Sequence, residues 1–394
     1  MIVRDFLQWV RTAPASERAE ATSALARAYL YSDLSADDLG AAEGAMLMLL
    51  DDPSPLVRRA LADALAASPS APPAIVVALA ADQPQIAAPV YALSPLLVDA
   101  DLVDAVATGS GVVQEAIASR AKLPCPVAAA IAEIGAAEAC LTLVENPTAE
   151  IAAISMDRIV DRFGHLAAIR EALLLRDDVL PAARLTLVAK LSETLAGFIA
   201  GRSWLDADRA QRIAREACEK ATVTIAAGAP ESELRPLIRH LCASGQLTAG
   251  LILRALLSGN VALFEEALAE LTDMPVARVS GLIHDRGGLG LRALLAKAQL
   301  PLSTHAAFKE AIEAMREGLL HEPGSGTRLK RRMIERVLTR CEDADLGGLA
   351  PLLTLLRRFA TEAAREEARL FCDDLVADES AAQGIAAPRR SAAA

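Results

Sequence analysis

Asp51–Leu65 reads DDPSPLVRRALADAL, and its grammar is that of one helix ending and another beginning. Pro53 and Pro55 cannot continue a preceding helix, and a proline is well tolerated in the first turn of the next. From Val57 onward, apolar residues return at helical spacing beside Arg58 and Arg59. Similar turns recur at Asp82-Gln83-Pro84, Gly109-Ser110-Gly111, Glu145-Asn146-Pro147 and Asp177–Pro181, about 27 to 37 residues apart. Each interval is long enough for two short helices. One such pair cannot bury its own apolar face, so successive pairs are expected to stack.

Composition agrees with helices throughout. Hydrophobic residues make up 53% of the 394-residue chain and aromatics 3%. Small and straight side chains favour close helix contact, whereas a sheet core calls for β-branched and aromatic residues. The expected fold class is all-α: an α-solenoid of helix pairs followed by a second all-helical repeat module. Six cysteines without a Cys-x-x-Cys pair read as small buried apolar groups in a reducing compartment. Arg4 and Asp5 interrupt the start of the chain before a signal-peptide core forms, and prolines break the uncharged run Ala64–Ala81. A cytoplasmic protein with no transmembrane segment is expected.

The N-terminal region opens with an amphipathic helix around Phe6 and Trp9, then a helix capped by Ser16, then one starting at Ser35-Ala36-Asp37-Asp38. The stacked array is expected over residues 1–203. Beyond Trp204 a more charged helix leads into an internal duplication. LILRALL at 251–257 recurs as LGLRALL at 289–295, and FEEAL at 264–268 recurs as FKEAI at 308–312. A duplicated module is therefore assigned to 204–320 and C-terminal helices to 321–379. The Ala-rich stretch 380–394 lacks apolar periodicity and is expected to be a disordered tail.

Asp-Pro-x-Pro-x-Val-Arg before a Leu- and Ala-rich helix resembles the HEAT repeat. In that family an Asp in the turn and an Arg six residues later tie neighbouring repeats together by hydrogen bonds. Asp52 with Arg58, and Asp178 with Arg184, match that spacing, so the resemblance implies these four as the repeat ladder. The units at 82, 109 and 146 lack the Arg and depart from the pattern. Taken whole, residues 15–320 look like an alphaproteobacterial family of unknown function. It joins a HEAT-like array to a helical region with a Leu-x-x-Arg-Ala-Leu segment, as at Leu251–Leu256. That resemblance implies a fold and no activity.

Catalytic signatures are missing: there is no nucleophile elbow, Walker loop or His-Glu-x-x-His helix. Asp157, Asp161 and His165 share a helical spacing that suits a metal, yet Arg158 and Arg162 interleave and are placed to neutralise the carboxylates. Gly287-Gly288-Leu289-Gly290 follows a helix, not a strand, and reads as a left-handed turn. His240 and Cys242 make one pair, short of a zinc site. No enzyme activity, cofactor or metal is expected.

Charge separates the two ends of the chain. Residues 1–160 carry 9 Lys/Arg against 20 Asp/Glu, and the rest carries 31 of each. An acidic array repels phosphate backbones and favours a basic or amphipathic protein segment. The opposite feature is the helix expected near 326–341. Arg328, Lys330, Arg331, Arg332, Arg336 and Arg340 crowd one stretch beside the apolar stripe Leu329, Met333, Val337 and Cys341. It fits nucleic acid, an anionic lipid surface or an acidic protein, and equally this chain's own acidic array or a plain solvated face. Arg254 and Arg292 hold matching places in the duplicated segments and are kept as partner-binding candidates beside the more ordinary role of bridging helices. The expected function is a non-enzymatic, cytoplasmic protein-interaction scaffold. The alternative is a nucleic-acid-associated protein acting through the basic helix, and an uncapped array end also leaves room for a homo-oligomer.

Overall fold

The computed structural model describes residues 9–10, 12–285, 288–317, 329–343 and 350–385. Among these it holds 21 helices and no strand, as the composition requires. The chain divides into two compact units, the first ending at Val179 and the second starting at Leu180.

The first unit contains α1 (Ala15–Tyr31), α2 (Ala36–Leu49), α3 (Pro55–Leu65), α4 (Pro73–Ala80), α5 (Pro84–Leu93), α6 (Asp99–Thr108), α7 (Gly111–Ala118), α8 (Cys125–Ile134), α9 (Ala137–Glu145), α10 (Ala153–Phe163) and α11 (Ala167–Leu175). Prolines open α3, α4 and α5, where a missing N–H costs nothing. Ser35 caps α2 by accepting the Asp38 N–H at 3.2 Å, as its sequence predicts. Ser16 does not cap α1, because that helix already begins at Ala15 behind Pro14.

Packing follows an alternate-helix rule. α1, α3, α5, α7, α9 and α11 each pack on the next in one row, and α6, α8 and α10 pack in a second. Between the rows, Leu61, Leu65, Ile75, Leu79, Ile86, Ile117 and Ile131 are fully or almost fully buried. The turn at Gly135-Ala136, between α8 and α9, escapes the sequence pattern because it holds no proline. The stretch between the turns at 109 and 146 consequently holds three helices, not two. First-row helices α3, α5, α7, α9 and α11 start at 55, 84, 111, 137 and 167, a repeat of about 26 to 30 residues.

Two kinds of polar contact tie successive helices of the first row together. Near the start, Arg18 forms a forked pair with Asp52, at 2.9 and 2.8 Å. Arg58 reaches forward to Asp82 at 2.6 and 3.1 Å while also donating to the Asp52 carbonyl. Farther along, a residue just past one helix caps the C-terminal carbonyls of its row neighbour. Arg120 donates to Tyr91 and Ser94, Asn146 to Ala118 and Arg120, and Arg176 to Val144 and Asn146. The last carbonyls of a helix have no partner within it, and a cationic donor suits that end of the dipole.

The second unit begins with two long helices that pack along each other, α12 (Pro181–Gly201) and α13 (Ala207–Gly228). The change of character near residue 203 is the turn between them, where Ser203 takes a left-handed φ of 55°. The division into units comes earlier, after Val179, because α12 makes its main packing with α13. There follow α14 (Glu231–Ala243), α15 (Ala249–Leu257), α16 (Val261–Thr272), α17 (Val276–His284), α18 (Leu289–Lys297), α19 (Leu302–Arg316), α20 (Arg331–Asp343) and α21 (Ala350–Ile385). The duplicated segments are α15–α16 and α18–α19. Their matched phenylalanines, Phe264 and Phe308, are fully buried and stack on each other with ring centroids 5.8 Å apart. Met333, Ile334 and Val337 of α20 and Leu356 and Phe359 of α21 complete the same core, so the C-terminal helices are not a separate body. α21 runs on to Ile385, so the first part of the stretch expected to be a disordered tail is helical. Phe6, Gly287, His321, Arg328 and the tail from residue 386 lie outside the described residues.

Burial pushes the Asp52 and Asp82 carboxyls up, but hydrogen bonds and charge from Arg18 and Arg58 outweigh it and hold both below the usual carboxylate range. Their stabilising effect is therefore complete above the unfolded value of about 3.9 and disappears as pH falls through the folded one. In urea titrations, an Asp52→Asn/Asp82→Asn variant is expected to be less stable at pH 7 yet to lose less than wild type between pH 7 and pH 3. An equal loss would show that the two pairs are not sensed by the fold. Replacing Arg120 by Met leaves two part-buried carbonyls without their donor and is expected to lower the unfolding free energy by about 1–3 kcal/mol.

Candidate functional site

α12 leaves the core along its own length. Pro181, Ala183, Leu185 and Leu187 are buried, but from Glu193 to Arg209 Ala196 alone is buried, with Ala210 next. The projecting end exposes several large apolar side chains, two of them aromatic in an aromatic-poor protein. Leu195, Phe198, Trp204 and Ile213 are each about half exposed or more, Trp204 at 65%. The Phe198 and Trp204 rings meet edge to face at 5.8 Å, and the Arg202 guanidinium lies 4.9 Å over Phe198. Scattered apolar residues need no explanation on a surface, whereas an aromatic pair clasped by an arginine is the composition of an interface anchor.

Beside this end runs a groove of about 550 Å³. α12 contributes Ala189, Ala196, Gly197 and Ala200, and α13 contributes Ala207 and Ala214. Small side chains on two neighbouring helices leave room for a third backbone. Polar groups line it as well: Ser192 and Glu193 from α12, and Gln211, Arg215 and Glu219 from α13, with Thr248 beside them. Burial raises the Glu219 carboxyl above its ordinary range, against the charge of Arg254 and a hydrogen bond from Thr248.

Glu219 links the groove to a charge cluster around the buried Arg254. Arg254 sits in α15, where every neighbour from Leu251 to Leu257 is buried, and is itself 2% exposed. Its Nη1 donates to Glu362 Oε1 at 2.8 Å, its Nε lies 3.7 Å from Glu219 Oε2, and the Phe359 ring covers it at 4.5 Å. Nearby, Lys220 Nζ donates to Glu366 at 2.9 Å, and Arg358 pairs with Glu216. The sequence singled out Arg254 but neither the hairpin end nor the rest of this cluster, whose α21 members Arg358, Glu362 and Glu366 stand more than a hundred residues from their partners.

The residues singled out from the sequence fall in different places. Asp52 and Arg58 join successive helix pairs, each through a partner outside the expected two. Asp178 pairs with Arg176 at 2.7 Å, two residues away. Arg184 lies on α12, in the other unit from Asp178. Arg254 is buried while Arg292, its counterpart on α18, is exposed, so the duplication does not extend to their surroundings. The basic helix α20 buries its apolar stripe in the second unit's core. Lys330 is buried, Arg331 bonds Glu335 and Glu367, and Arg336 bonds Glu317. Arg332 lies on its exposed face. Arg158 and Arg162 reach the preceding helix pair, at Glu133 and the carbonyls of Ala132 and Gly135. The described residues form no cluster of three metal-ligating side chains, and His240 bonds Thr186. Gly288 adopts the left-handed φ of 67° that the glycine run implies.

Residues 86–347, about two thirds of the chain, match the family described as an uncharacterised protein conserved in bacteria, DUF2336. The chain belongs to that family. Comparison with curated proteins and with solved structures returns no match. Among the described residues no helix is long and apolar enough to cross a membrane.

The division between anchor and core is testable by substitution. Trp204→Ala removes an exposed ring and is expected to change the unfolding free energy by under about 1 kcal/mol. Phe308→Ala empties a buried site and is expected to cost about 3–5 kcal/mol. Comparable losses by denaturant titration would mean that Trp204 is part of the fold, not of a surface anchor.

Proposed function

We propose that this protein is a non-enzymatic scaffold that holds a helical segment of a protein partner in the α12–α13 groove. The carrying observation is the pairing of a small-residue groove with the exposed Phe198–Arg202–Trp204 clasp beside it. A partner helix gains affinity from burying the aromatic anchors and gains register from Arg215 and Glu219 on the wall. In this reading the first unit is a HEAT-like stacked array, supported by the alternate-helix packing and the Arg18–Asp52 and Arg58–Asp82 pairs. Its acidic surface steers basic segments toward the protein through long-range attraction. The reading places the protein in the cytoplasm, consistent with six free cysteines. Nucleic-acid binding through α20 is less well supported, because Arg331 and Arg336 are already engaged by carboxylates.

Gly197 offers a direct test, since a Cβ added there has open space around it. Gly197→Trp is expected to fill the groove with the fold intact. A photo-crosslinking residue at position 198, introduced in the native bacterium, is expected to yield one major protein adduct. Adding Gly197→Trp or Trp204→Ala is expected to abolish it. An adduct that survives both changes, or no protein adduct at all, removes this site as the partner interface.

A further inference from the structure

The matched helices α15 and α18 carry the same stripe of residues, covered in one and open in the other. In α15, Leu251, Arg254, Ala255 and the C-cap Ser258 follow helical spacing, and none is more than 2% exposed. Their counterparts on α18 are Leu289, Arg292, Ala293 and Ala296. All four are exposed, Leu289 at 77%. The other side of α18 is filled in the ordinary way, with Leu291, Leu294 and Leu295 buried in the second unit's core. Burial does not require the stripe on α18, yet the two helices agree at Leu251/Leu289, Arg254/Arg292 and Ala255/Ala293. Within the seven matched residues the one difference, Ile252 against Gly290, lies off the stripe. There a Cβ on Gly290 would press on Leu282 of α17 at 3.1 Å.

The covered copy shows what satisfies this stripe. α13 brings Glu219 to 3.7 Å from Arg254 Nε, and α21 brings Glu362, which accepts from Nη1 at 2.8 Å, with the Phe359 ring 4.5 Å from the guanidinium. A carboxylate and an aromatic ring three residues apart on one helix therefore meet the arginine together. Among the described residues Arg292 forms no hydrogen bond or ion pair. Charge narrows the choice of occupant. The charged residues of α18 are Arg292 and Lys297, both positive. A second copy laid on the same face about a two-fold axis would oppose Arg292 to Arg292, which is unfavourable. A nucleic-acid backbone is held by many cations and gains nothing from Leu289. A helix with one carboxylate beside an apolar surface answers Arg292 and Leu289 at once.

We propose that the Leu289–Ala296 face of α18 binds a helix of a partner protein that sets a glutamate or aspartate opposite Arg292 and an aromatic side chain one turn away. The contact reproduces between two chains the one that Phe359 and Glu362 make with Arg254 inside this one. Leu289 and Ala293 supply the apolar floor, and Arg292 sets the register. The face shares no residue with the α12–α13 groove, so the two sites stand or fall separately.

The test places the photo-crosslinking residue p-benzoylphenylalanine at position 296 of the full-length chain in the native bacterium. One major protein adduct is expected, and mass spectrometry of it is expected to map the crosslink to a helix with a carboxylate one turn from an aromatic residue. Adding Arg292→Glu is expected to cut the adduct about tenfold or more. Because Arg292 is exposed, that variant is expected to melt as the wild type does, which separates loss of binding from loss of fold. Changing the mapped carboxylate of the partner to arginine is expected to restore the adduct with Arg292→Glu and to weaken it with the wild type. The proposal is overturned by the absence of a protein adduct or by an adduct between two copies of this chain. It is equally overturned by an adduct that Arg292→Glu leaves unchanged, or by a charge exchange that restores nothing.

Discussion

Short helices have too little length to be stable alone, and that limit organises the first unit. Most of its helices span 8 to 11 residues, below the length at which an isolated helix holds in water. Each helix of the two rows therefore depends on the neighbour two places along the chain for burial of its apolar stripe and, in the second half of the first row, for satisfaction of its terminal carbonyls. Arg120, Asn146 and Arg176 act in the same place on successive helices while differing in residue type. What repeats is the unmet carbonyl at a helix end, and any side chain with two or more well-placed donors meets it.

The second unit solves the same burial problem with longer helices and one central, wholly apolar segment. α15 buries residues on every side, which is tolerable for leucines and demanding for Arg254. That single charge makes α21 matter: Glu362 and the Phe359 ring are what the guanidinium meets where solvent would otherwise be. The basic helix α20 shows the reverse situation. Arg331 and Arg336 lie toward the surface, where their pairing with Glu317, Glu335 and Glu367 is modest in energy.

Much of the fold was legible along the chain, and the reasons are local. Prolines at 55, 84 and 181 mark helix starts because the ring sets φ and removes a donor. Helical spacing around Val57 and Leu61 marks the buried stripe. The duplicated LxLRALL and F-x-E-A blocks announced a pair of related helix pairs, and Phe264 on Phe308 shows them meeting. Legibility failed where the signal was not local. Gly135-Ala136 carries no proline, and a helix boundary went unread. Arg254 and Arg292 look alike in sequence and have opposite surroundings, since burial depends on what α21 covers. The clasp of Phe198, Arg202 and Trp204 was equally silent, because exposure of an aromatic residue is a property of the hairpin that carries it.

From its residues alone, this chain was bound to be helical, built from short Pro-punctuated pieces, and acidic toward one end. Those are consequences of backbone chemistry, side-chain shape and charge, all of which act over a few residues. Tertiary structure alone decided which arginines cap, which pair and which are buried, and where the chain leaves a groove. Such outcomes depend on contacts between helices remote in sequence, and no spacing rule along the chain encodes which distant carboxylate or carbonyl will stand opposite a given guanidinium.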